Sequence, residues 1–204
     1  HKYHLRDIIQ YSHAIPMNSL FRALLLTAMS YFIMTGYDFL ALKYVKRPLA
    51  YGKISKASFI GYAFSNNIGF SMLAGASVRY RLYSSWGLSA LEITKIIFFC
   101  TMSIWLGFFT LGSAVFLFEP MALPRVLHLP FQTDYPLGII FLVPVFTYAF
   151  LALRWKKPVN VRGLEFPAPP ARFFFPQVGI ATLDWAMAGS VLFSLLPQGV
   201  SFPS

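Results

Sequence analysis

Two arginines stand one residue apart in the run Arg79-Tyr80-Arg81-Leu82-Tyr83, shortly after a polar, glycine-bearing stretch, Ser65-Asn66-Asn67-Ile68-Gly69. A guanidinium presents a planar fork of donors that can grip a phosphodiester through two oxygens, which an ammonium does not do. Tyr80 and Tyr83 add rings with an apolar body and a polar tip, suited to the headgroup depth of a bilayer. The plainer alternative is a basic anchor that only fixes topology. Two carboxylates, Asp38 in Gly36-Tyr37-Asp38-Phe39 and Asp184 in Thr182-Leu183-Asp184-Trp185, lie inside apolar runs. There a charged side chain costs about 2–3 kcal/mol on insertion scales. Each is therefore expected to meet an arginine or a cationic substrate group. The alternatives are that Asp38 snorkels toward Lys43 and that Asp184 is quieted by a neighbouring donor.

These residues need elements that hold them at membrane depth. The 204-residue chain is 57% hydrophobic and 18% aromatic, with 22 Phe and only 12% charged residues. A soluble domain devotes about a quarter of its residues to charge, so the composition predicts an all-α integral membrane protein, a polytopic helix bundle. Its net charge of +10 falls at the ends of apolar runs, which fits anionic lipid headgroups and not nucleic acid. Spans are predicted at about 20–42, 90–118, 137–153 and 173–197, preceded by an interfacial helix or loop over 1–19 that ends at Pro16. Ser89-Ala90-Leu91-Glu92 reads as a capping box opening the second span. Glu92 is expected mainly to cap, with Lys95 as a weak partner. Pro144 is expected to interrupt the third span.

Residues 57–78 are either a further span or a re-entrant dip. If they cross, the basic loops 43–56 and 154–172 fall on opposite faces. If they dip and return, loops 43–56, 79–95 and 154–172 share a face that collects 13 of the 17 Lys and Arg, leaving Lys2, Arg6, Arg22 and Arg125 on the other. Basic residues concentrate on the cytoplasmic side, so this count favours the dip, though it leaves the span open. A broken segment at depth frees backbone groups that need protein or water as partners. Asn66, Asn67, Ser65 and Ser71 can supply them. Gly61, Ser65 and Gly69, four apart, form a small-residue ridge for close helix contact.

No metal or enzyme signature accompanies this pattern. His1, His4, His13 and His128 have no ligand spacing, and HEXXH, GxSxG, P-loop and dinucleotide-binding fingerprints are absent. Cys100, the one cysteine, is expected to pack as a small hydrophobe. No catalytic residue and no cofactor are expected. The chain opens HKYHLRD, without an initiator Met, and stops at FPS after an apolar run, which reads as part of something longer.

The stretches GYD (36–38), SNNIG (65–69), SVRYRLYS (77–84) and WGLSALEI (86–93) resemble the transmembrane region of the bifunctional lysylphosphatidylglycerol flippase/synthetase (MprF-type) family, most closely over about residues 20–120. The resemblance implies that residues 20–204 are part of a flippase domain. Such a domain moves aminoacylated phosphatidylglycerol to the outer leaflet of the bacterial inner (plasma) membrane. In full-length relatives it is linked to a phosphatidylglycerol lysyltransferase domain and to protection against cationic antimicrobial peptides. It also implies that Asp38 and Arg79 are needed for translocation. Ala76 stands before Ser77 where relatives often have glycine, a mild departure that stiffens the segment. Taken with the residues' own chemistry, Arg79, Arg81, Asp38, Tyr80, Tyr83, Asn66, Asn67 and Asp184 are the expected headgroup-binding set. The expected partners are anionic and aminoacylated phospholipids, with homo-oligomerisation left open. The competing readings are a membrane anchor that feeds lipid to a synthetase and a small-solute transporter. The transporter would be expected to show internal repeats, and none stands out.

Overall fold

The computed structural model describes residues 15–67, 71–119, 133, 135–154, 159–161, 164–166 and 171–196. Its helices are α1 (Met17–Tyr44), α2 (Tyr51–Asn67), α3 (Ser71–Ser85), α4 (Ala90–Phe118), α5 (Tyr135–Arg154) and α6 (Phe174–Leu195), the last entered through a 3-10 turn at Ala171–Phe173. Four of them, α1, α4, α5 and α6 with its preceding turn, are long and apolar enough to cross a membrane. The molecule is an all-α polytopic membrane protein. Most of the expected interfacial segment, 1–14, and most of the proline-rich connection between α4 and α5 lie outside the described residues.

Three expectations need correction. Residues 51–56, expected in a basic loop, form the first turns of α2, whose register is set by burying Ile54, Ala57, Ser58, Gly61 and Tyr62. The third span runs unbroken through Pro144, as membrane helices tolerate when neighbours accommodate the lost bond. The connection after α5 holds a small antiparallel pair, β1 (Val159–Val161) with β2 (Leu164–Phe166), in which Val159 faces Phe166.

The expected capping box is present at the start of α4. The Ser89 hydroxyl accepts from the Glu92 amide, and the Glu92 carboxylate accepts from the Ser89 amide. Glu92 takes Arg47, not Lys95, as its ionic partner, with Nε 2.6 Å from the carboxylate. The guanidinium of Arg47 is held further above its ordinary range by that hydrogen bond. Helices α1 and α3 both stop by the same device. A residue with positive φ, Lys46 (58°) after α1 and Gly87 (85°) after α3, lets an amide reach back to a helical carbonyl, Arg47 to Leu42 and Leu88 to Tyr83. This is the Schellman closure.

Helices α2 and α3 form an antiparallel hairpin. A methyl added at Gly75 would meet Gly61 O at 2.9 Å and collide with Ser65 Oγ, and one at Gly61 would meet Arg79 Nη1 at 3.0 Å. The pairs 65/75 and 61/79 share one antiparallel register, and Lys53 over the Trp86 ring at 5.6 Å extends it to the open end. Small residues at 61, 65 and 75 are what allow the two backbones to approach. The hairpin leans on α1 through Ser58, which donates to Met34 O, and through the Thr35–Tyr51 hydroxyl pair.

Helix α6 is clasped between α1 and α4. Gly107 abuts the Ala181 backbone, where an added methyl would come within 2.5 Å. Gln177, fully buried, accepts from Tyr148 and donates to Ser103, so α4, α5 and α6 share one polar knot. The Tyr44, Phe99 and Phe173 rings pack together where the ends of α1 and α6 meet α4. That end of the bundle also holds Lys43, Lys46, Arg47, Lys53, Arg154 and Arg172.

Candidate functional site

Asp38 sits six residues before the end of α1, about 9 Å below it along the axis, and faces the hairpin. It is fully buried. Arg79 on α3 meets it with two parallel bonds, Nε to Oδ1 at 3.0 Å and Nη2 to Oδ2 at 2.9 Å. Tyr83, one helical turn further along α3, donates its hydroxyl to Oδ1 at 2.7 Å. Arg79 is only 5% exposed. Its guanidinium carbon lies 4.3 Å from the centroid of the Tyr62 ring on α2, a geometry in which the ring face stabilises a cation. Gly61 leaves room for the guanidinium to lie across α2. The fork, the phenol and the ring face together answer both oxygens of a carboxylate that would otherwise be prohibitive at this depth.

The second carboxylate is held separately. Asp184 on α6 accepts from Ser30 Oγ at 2.9 Å and from the Tyr37 hydroxyl at 3.1 Å. Tyr37 precedes Asp38 in sequence, and its ring lies 6.0 Å from Tyr62. A continuous line of polar and aromatic groups therefore runs from Asp184 through Tyr37 and Tyr62 to Arg79, Asp38 and Tyr83. It ties α6, α1, α2 and α3 together.

Arg79 and Tyr62 also wall a cavity of about 470 Å³ between the hairpin, α4 and α6. Ser65 and Asn66 contribute polar atoms to it, and Ile97, Ile104, Trp105, Phe108 and Trp185 make the remainder mostly apolar. Trp185 is fixed there by donating Nε1 to Ile104 O at 3.0 Å. The Tyr62 hydroxyl is buried with no hydrogen-bond partner among the described residues, and Cys100, which also lines the cavity, is a buried free thiol. A smaller notch of about 350 Å³, lined by Ala76, Ser77, Tyr80, Arg81 and Ile97, adjoins the cavity and shares Ala76 and Ile97 with it.

The expected set is thus divided. Asp38, Arg79 and Tyr83 converge. Asn66 reaches the cavity, whereas Asn67 turns back and donates to Ala63 O at 2.8 Å. Tyr80 is half exposed and lines the outer notch with Arg81. The joint grip of one phosphate by Arg79 and Arg81 is not the geometry found. The sequence reading ended the segment at 78, but α3 continues to Ser85, and positions i and i+2 of a helix point about 200° apart. Asp184 belongs to the same polar line as Asp38 but not to the same cluster. Tyr62, Ser30 and Tyr37 were missed. Ser30 and Tyr37 are seven apart in an apolar span, the spacing of one helix face, and that was the available signal.

No family model matches the chain. It is 36% identical over 205 residues to an uncharacterized protein of Synechocystis sp., which aligns with the whole chain. It is 31% identical over 185 residues to the inner membrane protein YbhN of Escherichia coli, covering 90% of the chain. It is 23% identical over 190 residues to the phosphatidylglycerol lysyltransferase of Bacillus subtilis, covering 92% of the chain. The chain spans 64%, 58% and 22% of these three proteins' lengths, respectively. It is therefore a multi-pass membrane protein, similar over most of its length to these bacterial proteins and distantly so to the lysyltransferase.

Proposed function

We propose that this chain is the translocating part of a bacterial inner-membrane lipid flippase. Its cargo is a phospholipid whose headgroup carries both a phosphate and an amine, of the aminoacylated phosphatidylglycerol class, delivered to the outer leaflet. The observation that carries the reading is the buried bidentate Arg79–Asp38 pair, whose arginine stands in the wall of a mostly apolar cavity with Asp38 directly behind it. Similarity to a phosphatidylglycerol lysyltransferase over most of the chain supports the choice of lipid.

The chemistry is an exchange of partners. A phosphate entering the cavity takes the guanidinium fork, and the headgroup amine takes Asp38. A headgroup with phosphate alone would leave Asp38 buried without a cation, and stripping one partner from a buried pair costs about 3–5 kcal/mol. An amine-bearing headgroup avoids that cost, so the pair selects for it. Formally the polar line carries two carboxylates and one guanidinium. A headgroup with one phosphate and two ammoniums is its complement, which fits a lysyl ester. Tyr83 and Tyr62 hold the fork in register, and the tails remain in lipid. In this reading the α2–α3 hairpin is re-entrant from the basic, cytoplasmic end, and Arg81 and Tyr80 meet headgroups at its rim.

The test measures lipid on the outer leaflet in cells carrying the full-length protein. Arg79→Lys keeps the charge but loses the fork. It is expected to abolish outer-leaflet aminoacyl lipid at unchanged protein level and unchanged total lipid synthesis. Unchanged display in both Arg79→Lys and Arg79→Ala would overturn the proposal. One observation favours a second reading, in which the segment only anchors a synthetase and supplies it with lipid: the pair is already satisfied by the protein, as a structural latch would be. The reversed pair, Asp38→Arg with Arg79→Asp, separates them. A latch is restored by reversal, whereas a site that must order phosphate and amine is not.

A further inference from the structure

A second groove lies between α1 and α2, on the side of α2 turned away from Arg79, with a volume of about 850 Å³. On α1 it is lined by Leu24, Thr27, Ala28, Tyr31, Phe32 and Thr35, a spacing that traces one stripe of a helix. On α2 the stripe is Gly52, Ser55, Lys56, Phe59 and Ile60. From Leu24 to Thr35 the trough is about 16 Å long, roughly half of the ~30 Å hydrocarbon core of a bilayer. Its two ends differ. Toward the middle of the bundle it is walled by leucine, alanine and phenylalanine. At the basic end it meets Ser55, the Thr35–Tyr51 hydroxyl pair and Lys56. A methyl added at Gly52 would touch nothing, so that end stands open.

We infer that this groove binds one anionic glycerophospholipid of the cytoplasmic leaflet, with an acyl chain in the trough and the phosphate at Lys56. The occupant follows from charge. The ion pairs among the described residues are Arg47–Glu92 and Arg79–Asp38. Asp38, the one carboxylate on α1 or α2, is turned toward Arg79. Lys53, one turn away on α2, lies over the Trp86 ring and not in the trough. Among the described residues, Lys56 therefore faces the groove head without an anion to balance it. An apolar trough one leaflet deep that ends in hydroxyls and an uncompensated ammonium has the shape and polarity of a phospholipid. The site rests on the chain's residence in a membrane and not on the translocation reading. The lipid here would stay bound as a support for the hairpin and would not be carried.

The test reads this site alone. A photo-reactive benzoylphenylalanine replaces Phe59 in the trough wall. The protein is placed in vesicles of equal parts phosphatidylglycerol and phosphatidylcholine, and the crosslinked lipid is identified by mass spectrometry. Phosphatidylglycerol is expected to be enriched about five-fold, the weight of one lysine near an anionic lipid. Lys56→Ala should return the ratio to that of the bulk, and Lys56→Arg should keep the enrichment. Ala28→Trp, filling the trough at an exposed position, should lower crosslinking of both lipids. A ratio equal to the bulk without further substitution, or enrichment that survives Lys56→Ala, would overturn the site. Arg79→Lys should leave the ratio unchanged whether or not it stops translocation, so the two proposals fail separately.

Discussion

The residues that matter most are three on two helices, and their individual weights can be separated. Asp38 accepts two bonds from Arg79 and one from Tyr83. Tyr83→Phe removes one charge-assisted bond and leaves the ion pair, for an expected loss of about 1.5–3 kcal/mol. Asp38→Ala strands a buried guanidinium and is expected to cost more, about 3–5 kcal/mol. Thermal unfolding of the protein in detergent should rank the two in that order, and equal midpoints would mean that the carboxylate is not the hub. Sequence reading reached Asp38 and Arg79 because charge in an apolar run is conspicuous by type alone. It could not pair them, since they are 41 positions apart and the pairing depends on how α3 is folded back. It put Arg81 beside Arg79 because the helix was expected to stop before them. Tyr62 was passed over as one more aromatic, for nothing in its neighbours marks it as the platform under a cation.

Among elements, the hairpin depends on how closely two backbones can approach. Gly75 faces Gly61 O and Ser65, so Gly75→Val must push α3 off α2. The expected cost is about 1–3 kcal/mol from overpacking alone, with a further loss as Arg79 is drawn from Asp38. Gly52→Ala, on the same hairpin but with open space around it, is the control and should leave the unfolding midpoint unchanged or slightly raised, since alanine favours a helix over glycine by up to about 1 kcal/mol. The four long spans were legible from runs of apolar residues, and the start of α4 from its capping box. The ends of α2 and α3 were not. Helix α2 carries Lys53, Ser55 and Lys56 and has no apolar run, and it is helical because Ile54, Ala57, Ser58, Gly61 and Tyr62 repeat on the face that packs inward. Periodicity of small and mixed residues is a weak signal until the surface that buries them is known.

For the whole molecule, the distribution of charge and the path of the chain agree on one geometry. Lys53 on α2 lies over Trp86, just past α3, so the hairpin opens at the same end where α1 stops and α4 begins. Single cysteines at positions 48 and 85, in a Cys100→Ala background, are expected to react with an impermeant maleimide only from the cytoplasmic face of oriented vesicles. Reaction of the two from opposite faces would make residues 51–85 a crossing and remove the re-entrant placement. Helix α1 stands at the centre of this plan. Its neighbouring residues Tyr37 and Asp38 hold different helices, Tyr37 gripping α6 through Asp184 and Asp38 gripping α3 through Arg79. Consecutive side chains on a helix point about 100° apart, so α1 acts as a two-toothed cam. It cannot rotate to release one tooth without dragging on the other. Any movement that frees the hairpin must therefore swing α3 away from a stationary α1, or turn α1 and α6 as a single part.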